Sequence, residues 1–203
     1  LTEGNVTTLQ KVVWNGQVHT TVSAEAIRFA LRRWLAAAGH PCNRKYNEAT
    51  RSNERADHEF TRWAKGAKEP GFIDDDLLGY MAADAAKEEG AKGSAKIRRA
   101  VLEVTRAVSL VPWPGDVTFN AASPNATPSA QKRESNPVPY GTEMHATRYQ
   151  YGFALTPEGL EAEPARRTRA ALEALCSLGE VAGNHGRFLF DFGAESIILR
   201  LTE

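Results

Sequence analysis

Apolar and β-branched residues recur along this chain in two periods. Val6 to Trp14 is rich in Val and Thr, Asn15-Gly16 interrupts it, and Gln17 to Val22 resumes the run, which predicts two strands joined by a tight turn. Ser23 then stands at an N-cap position, and Ile27, Leu31, Trp34, Leu35 and Ala38 follow at helical spacing until Gly39 and Pro41 end the pattern. Residues 43–70 are polar and highly charged, with Phe60 and Trp63 as their large anchors, and are expected to form an inserted helical segment with an exposed surface. Three aspartates precede Leu77-Leu78 within Phe72 to Met81, and the Lys, Glu, Gly and Ala of residues 87–96 read as a flexible loop.

A further strand is predicted over Ala100 to Leu110 and another over His145 to Leu155. Between them, prolines at 112, 114, 124, 128, 137 and 139 exclude regular core structure and mark a long excursion. Thr156-Pro157 is expected to open a second long helix, with Ala165, Leu172, Leu175 and Cys176 on its buried side. Strands over Arg187 to Phe192 and Ser196 to Leu201 close the pattern. The resulting order is strand, helix, strand, strand, helix, strand, with insertions over residues 43–97 and 111–143. That order predicts a single α+β domain over residues 1–203, built on a ferredoxin-like (RNA-recognition-motif-like) antiparallel sheet. Such a sheet hosts many functions, so the fold alone names none.

The composition is that of a globular protein: 203 residues, 42% hydrophobic, with 25 Lys+Arg against 25 Asp+Glu. A formal net charge of zero removes the whole-molecule signature of a nucleic-acid binder and shifts the question to local basic patches. Long uncharged apolar runs are lacking, so a soluble protein with no membrane partner is expected. Cys42 and Cys176 are far apart and outside any CxxC spacing, which points to a reducing cytoplasm and to neither a disulfide framework nor a zinc site. The start at Leu1 reads as trimmed rather than secretory.

Several segments could carry chemistry. His19 to Ser23 leads into a helix with Arg28, Arg32 and Arg33, offering N-terminal amides, a hydroxyl and stacked guanidinium groups suited to phosphate. Composition favours the plainer description of an N-cap followed by a solvated charged face. Gly183-Asn184-His185-Gly186-Arg187 could bring backbone close to a ligand, or could be a helix C-cap and turn. Phe188, Phe190 and Phe192 are expected to face the core. Lys132-Arg133 could touch an anionic partner or serve solubility. Asp74, Asp75 and Asp76 could be taken for a metal cluster, but acids also suit a helix N-terminus, and no Ser, His or metal-ligand set completes a catalytic site. No cofactor is expected.

Taken together, five stretches resemble the DevR-type backbone subunit of type I CRISPR Cascade complexes. They are Val12 to Val18, Ser23 to Arg28, Phe72 to Met81, Ala107 to Leu110, and Gly183 to Arg200. The resemblance implies a hand-shaped, modified RNA-recognition fold, with a helical insertion after Gly39 and a thumb-like hairpin after Leu110. It implies copies that polymerise along a CRISPR guide RNA beside other Cascade subunits, pairing the guide with target DNA and cutting nothing. Ser23, Arg28, Arg32, Asn184, His185 and Arg187 inherit a candidate RNA-binding role, with His19, Lys132 and Arg133 beside them. Glu25 departs from the usual neutral polar residue and Arg28 from the usual Lys. Two other functions remain open: a metal-dependent target-RNA endonuclease like the type III backbone subunits, using aspartates near position 75, and a transcriptional regulator.

Overall fold

The computed structural model describes residues 2–3, 6–83, 95–121, 123, 139–181 and 191–202. In chain order these form β1 (Thr2–Glu3), β2 (Val6–Thr7), β3 (Lys11–Trp14), β4 (Gln17–Val22), α1 (Ala24–Ala37), β5 (Arg44–Asn47), β6 (Ser52–Arg55), α2 (Ile73–Leu78), β7 (Tyr80–Ala83) and β8 (Ala95–Arg98). Then follow β9 (Leu102–Val104), β10 (Ala107–Ser109), β11 (Val117–Asn120), β12 (Tyr140–Glu143), β13 (Tyr149–Gln150), β14 (Phe153–Leu155) and α3 (Pro164–Cys176). Short 3-10 turns span Thr61–Trp63 and Pro157–Gly159. The fold is thus α+β, with several small antiparallel sheets and few helices, divided into two compact units.

The first unit contains the described residues within 1–23 and 106–151. The β3–β4 hairpin turns at Asn15 and Gly16, which take φ of 48° and 76°. Two successive left-handed residues are what a two-residue hairpin loop needs, and Asn-Gly adopts them at least cost. The hairpin extends into a four-stranded sheet of order β13-β10-β4-β3, and a second sheet has the order β1-β2-β12-β11. The described stems of the excursion, β11 and β12, pair with each other, so its ends are strand, whereas residues 122 and 124–138 lie outside the described residues. The buried interior of this unit is mainly polar, with His19, Thr20, Thr21, Ser109 and Thr142 beside Val22 and Ala107.

The second unit contains the described residues within 24–105, 152–181 and 191–202. α1 packs on α3 and α2, burying Ile27, Ala30, Leu31 and Leu35. Ala170, Ala171 and Ala174 line the facing stripe of α3, and their small side chains let the two helices approach closely. Leu77, Leu78, Leu102, Leu175 and Leu178 complete this core. Gly79 ends α2 at φ 66°, and a Cβ there would lie 2.4 Å from Arg98 O, so the crossing of these two chain segments requires glycine.

Several expectations are corrected. Residues 43–70 are not chiefly helical: β5 and β6 form a hairpin, and only Thr61–Trp63 makes a helical turn. Charge density hid the strands, since a two-stranded ribbon exposed on both faces shows no apolar alternation. The strand expected over 100–110 is two, β9 and β10, and the one over 145–155 is β13 and β14. Both break at one level, where Thr105 N donates to Gly152 O and Gly152 N donates to Thr105 Oγ1, each at 2.9 Å, in place of a regular ladder step. β10 pairs directly and antiparallel with β4, whereas a split βαβ unit places another strand between the two that flank its helix. Residues 191–202 contain no strand, and Ile197, Ile198, Leu199 and Leu201 are exposed. β propensity there has no neighbouring strand to satisfy it among the described residues. Thr156-Pro157 opens only a 3-10 turn; α3 begins at Pro164, with Ala165 and Cys176 exposed. Phe192 is buried as expected, while Phe188, Phe190 and residues 87–94 lie outside the described residues.

Candidate nucleic-acid interface

His19 lies in β4, 7% exposed, with Nδ1 2.8 Å from Ser109 O. A carbonyl only accepts, so Nδ1 carries the proton and the ring is fixed. The next residue, Thr20, places Oγ1 2.8 Å from His145 Nδ1 and 2.9 Å from Tyr149 Oη. Burial lowers the His145 pKa, and the neighbouring His19 lowers it further; burial raises that of Tyr149. His19 therefore belongs to a hydrogen-bonded interior that holds β4, β10 and β13 together. Ser23 is half-buried immediately before α1.

On α1, the Arg28 guanidinium donates to Leu78 O at the end of α2. Arg32 is turned inward, its side chain 15% exposed, with Nε 3.9 Å from Asp74 Oδ2. Burial lowers its pKa to about 10 against the attraction of Asp74, with Arg28 and Arg44 adding repulsion, so it is charged at neutral pH. Arg33 is the outward member, half exposed and 3.9 Å from Glu48. The face expected to be solvated is thus largely engaged within the chain. Lys132, Arg133, Asn184, His185 and Arg187 lie outside the described residues.

The aspartate run fills the interior. Asp74 accepts from Asn43 N at 2.7 Å and from Arg44 N at 3.0 Å. Asp75 accepts from Asn43 Nδ2 at 2.9 Å, and burial together with the Asp74 charge pushes its pKa up to about 6. Asp76 is fully buried between the guanidinium groups of Arg98 and Arg167. Arg167, 3% exposed, also donates to Gly71 O at 2.7 Å. Carboxylates held in this way join α2 to α3, β8 and the start of β5, and both oxygens of Asp74 and Asp76 and one of Asp75 already accept from protein donors. Among the described residues, no group of three or more His, Cys, Asp or Glu is arranged to hold a metal ion, and no helix is long and apolar enough to cross a membrane.

The family model described as CRISPR-associated negative auto-regulator DevR/Csa2 matches residues 2–203. The chain belongs to the DevR/Csa2 family. A Myxococcus xanthus (strain DK1622) protein named CRISPR-associated protein Cas7/Cst2/DevR is 69% identical over 203 residues, covering 100% of this chain and 66% of that protein. The chain therefore spans just under two thirds of that relative. Similar solved structures include chains from a CRISPR RNA-guided surveillance complex (TM-score 0.47, 16% identity, 83% of this chain and 52% of that one). Another comes from a CRISPR RNA-guided surveillance complex, pre-nicking (TM-score 0.49, 11% identity, 84% of this chain and 66% of that one).

The family is the one that the sequence motifs resemble, and two of those motifs have a clear physical role in this DevR/Csa2 chain. Phe72 to Met81 builds α2, whose acids anchor the second unit, and Val12 to Val18 builds the first hairpin. Sequence reasoning missed Asn43, Arg98 and Arg167. For Arg167 a signal existed: positions 167, 170, 171 and 174 share one stripe of α3, and an arginine on an otherwise alanine stripe calls for a buried acid.

Proposed function

We propose that this chain is part of a non-catalytic, guide-RNA-binding backbone subunit of a Cascade-type CRISPR complex. The family match over residues 2–203 is the observation that supports this reading most. Such a subunit grips the guide through its sugar-phosphate backbone and leaves sequence reading to base pairing, so it needs cations and amides rather than a base-reading code. Neighbouring copies, other Cascade subunits and target DNA paired to the guide are its partners, and the cytoplasm is its compartment.

Within this reading, Ser23 and the segments holding Asn184, His185, Arg187, Lys132 and Arg133 contact the guide, with residues 111–143 acting as the thumb and 43–97 as the insertion. Arg28 and Arg32 reach phosphate only by exchanging Leu78 O and Asp74, and His19 only by leaving Ser109, so these three set the local framework first. Exposed Val13, Trp14 and Phe119 on the β3–β4 hairpin and β11 offer apolar area for neighbouring subunits. Engagement of Asp74, Asp75 and Asp76 by arginines and amides supports a role that cuts nothing.

The family's description as a negative auto-regulator favours transcriptional regulation as a second reading. One binding experiment separates the two. The guide-binding reading expects single-stranded RNAs of unrelated sequence to bind within a few-fold of one another, with affinity falling steeply with salt, and no magnesium-dependent cleavage of RNA or DNA. Sequence-specific preference for duplex DNA would favour the regulator, and magnesium-dependent cuts lost on an aspartate substitution would favour the nuclease.

A further inference from the structure

The β5–β6 hairpin lies against α1, and between them runs a groove of about 230 Å³ lined by Arg32, Arg33, Arg44, Lys45, Tyr46 and Glu48, among others. Four cations thus meet one lining carboxylate. That carboxylate is weakly committed: Glu48 is 77% exposed and sits 3.9 Å from Arg33, a geometry worth little in water. Among the described residues, the side chains of Arg44 and Lys45 have no ion pair. Arg44 also stands directly across the ladder from Arg55, and like charges placed opposite one another destabilise a two-stranded ribbon. Arg55 escapes by laying its guanidinium over the Phe60 ring, 5.2 Å from its centroid, and Arg44 is left facing the groove. Below it the Arg32 Nε is buried without a hydrogen bond. Asp74 offsets Arg32 from the interior and Glu54 stands across the ladder from Lys45, but at the groove itself Arg33, Arg44 and Lys45 meet only the weakly held Glu48, an arrangement that a bound anion stabilises.

Another concave region of the same unit makes the contrast plain. It is larger, about 670 Å³, and includes Trp63, Tyr80, Arg98 and Arg99. Arg98 there is held by the buried Asp76, and the two lining arginines meet two lining carboxylates, Glu103 and Glu161, so it has little left for a polyanion.

We propose that the groove between α1 and the β5–β6 hairpin is a contact site for the phosphodiester backbone of a single-stranded nucleic acid, with Arg33, Arg44 and Lys45 as its phosphate-binding groups. This proposal rests on the nucleic-acid-binding reading above and adds Arg44 and Lys45 of the β5–β6 hairpin, which the sequence analysis does not single out, to the outward Arg33 of α1. A space of this size is smaller than a site for a drug-sized ligand and admits a phosphate with its flanking ribose. Tyr46, packed edge-on to Phe29 at 5.6 Å between centroids, supplies a stiff aromatic wall of the kind that accompanies cations in single-strand sites. The strand can be the guide itself or a second strand brought to it; the phosphate chemistry is shared.

The test uses the full chain with Arg33, Arg44 and Lys45 all changed to Gln, and a second variant with Arg33→Lys, Arg44→Lys and Lys45→Arg that keeps the charge. Binding of 20-nucleotide oligouridine RNA and oligothymidine DNA is measured against salt, alongside the RNA that copurifies. The Gln variant is expected to weaken binding by about tenfold or more at low salt and to flatten the salt slope by about 2, while the charge-keeping variant binds near normally. Loss of copurifying RNA assigns the strand to the guide, and its retention with loss of the added oligonucleotides assigns it to a second strand. If the Gln variant melts early, the single Lys45→Gln change decides, with an expected slope change of about 0.7. Unchanged affinity and slope in a protein that does carry RNA would overturn the groove alone. A parent protein that carries no RNA and binds neither oligonucleotide would overturn the groove and the guide-binding reading together.

Discussion

Asp76→Ala is expected to destabilise the second unit by about 3–5 kcal/mol, a large share of the roughly 5–15 kcal/mol by which ordinary domains are stable. Asp76 is fully buried, and its two oxygens are shared between Arg98, Arg167 and the amide of Glu161, 3.3 Å away. Truncation leaves Arg167, itself 3% exposed, as a buried charge whose remaining partner is a carbonyl. The loss is therefore dominated by the stranded cation rather than by the missing bond. Adding Arg167→Met to Asp76→Ala should accordingly recover a large part of the stability, since replacing a whole buried pair with apolar atoms is far less costly than breaking it. Urea unfolding of parent, single and double variants measures both effects. A single variant within about 1 kcal/mol of the parent would show that Asp76 behaves as a surface acid.

Asp75→Asn is expected to do the opposite. The Asp75 carboxyl is pushed up to about 6 from an ordinary 3.8, by burial first and by the adjacent Asp74 charge second. The folded chain therefore holds that proton more tightly than the unfolded chain. Its stabilising contribution is complete below pH 3.8 and is lost as pH rises through about 6, because ionising the buried group has a cost that the exposed group escapes. Asparagine has no charge to bury, and its Oδ1 still accepts from Asn43 Nδ2. At pH 7.5 the variant should exceed the parent by about 2–3 kcal/mol, with the gap closing toward pH 4. His145 acts in the reverse sense: its lowered pKa contributes stability that is present above the ordinary histidine value of 6.5 and is lost as pH falls through the folded value. Comparing variant with parent at each pH cancels that contribution. A gap that is constant with pH would contradict the assignment of the raised pKa to Asp75.

The parts of the structure that were legible in the sequence are those where local chemistry and burial agree. Asn15-Gly16 dictates its turn, and Ile27, Leu31 and Leu35 dictate the face that α1 buries. The β5–β6 hairpin was hidden because it is exposed and charged, so no apolar alternation marks it, although Arg44 to Asn47 and Ser52 to Arg55 pair residue for residue. The strand breaks at 105 and 151 were hidden because they depend on a side-chain bond from Gly152 N to Thr105 Oγ1, a long-range event without a local signature. At the candidate interface the pattern of Arg28 and Arg32 was legible but its direction was not. Spacing places both on one face of α1; only the tertiary fold turns them toward Leu78 and Asp74.

The same distinction bears on the acids. Three consecutive aspartates before two leucines read equally as a helix N-terminus or a metal cluster, and periodicity cannot say which carboxylates face arginine. Their cationic partners, Arg32, Arg98 and Arg167, come from three separate parts of the chain, 42, 22 and 91 residues from the acids they meet. Joining such distant parts of the chain gives the aspartates an architectural role.

The proposed function turns on whether this chain holds guide RNA. Purification of the full-length protein from its host, with and without nuclease treatment of the lysate, followed by extraction and sizing of the bound nucleic acid, tests it most directly. Guide binding predicts short RNA of uniform length, retained through nuclease treatment and released by high salt. Protein that emerges free of nucleic acid, or that carries RNA of random length removed by nuclease, would contradict it.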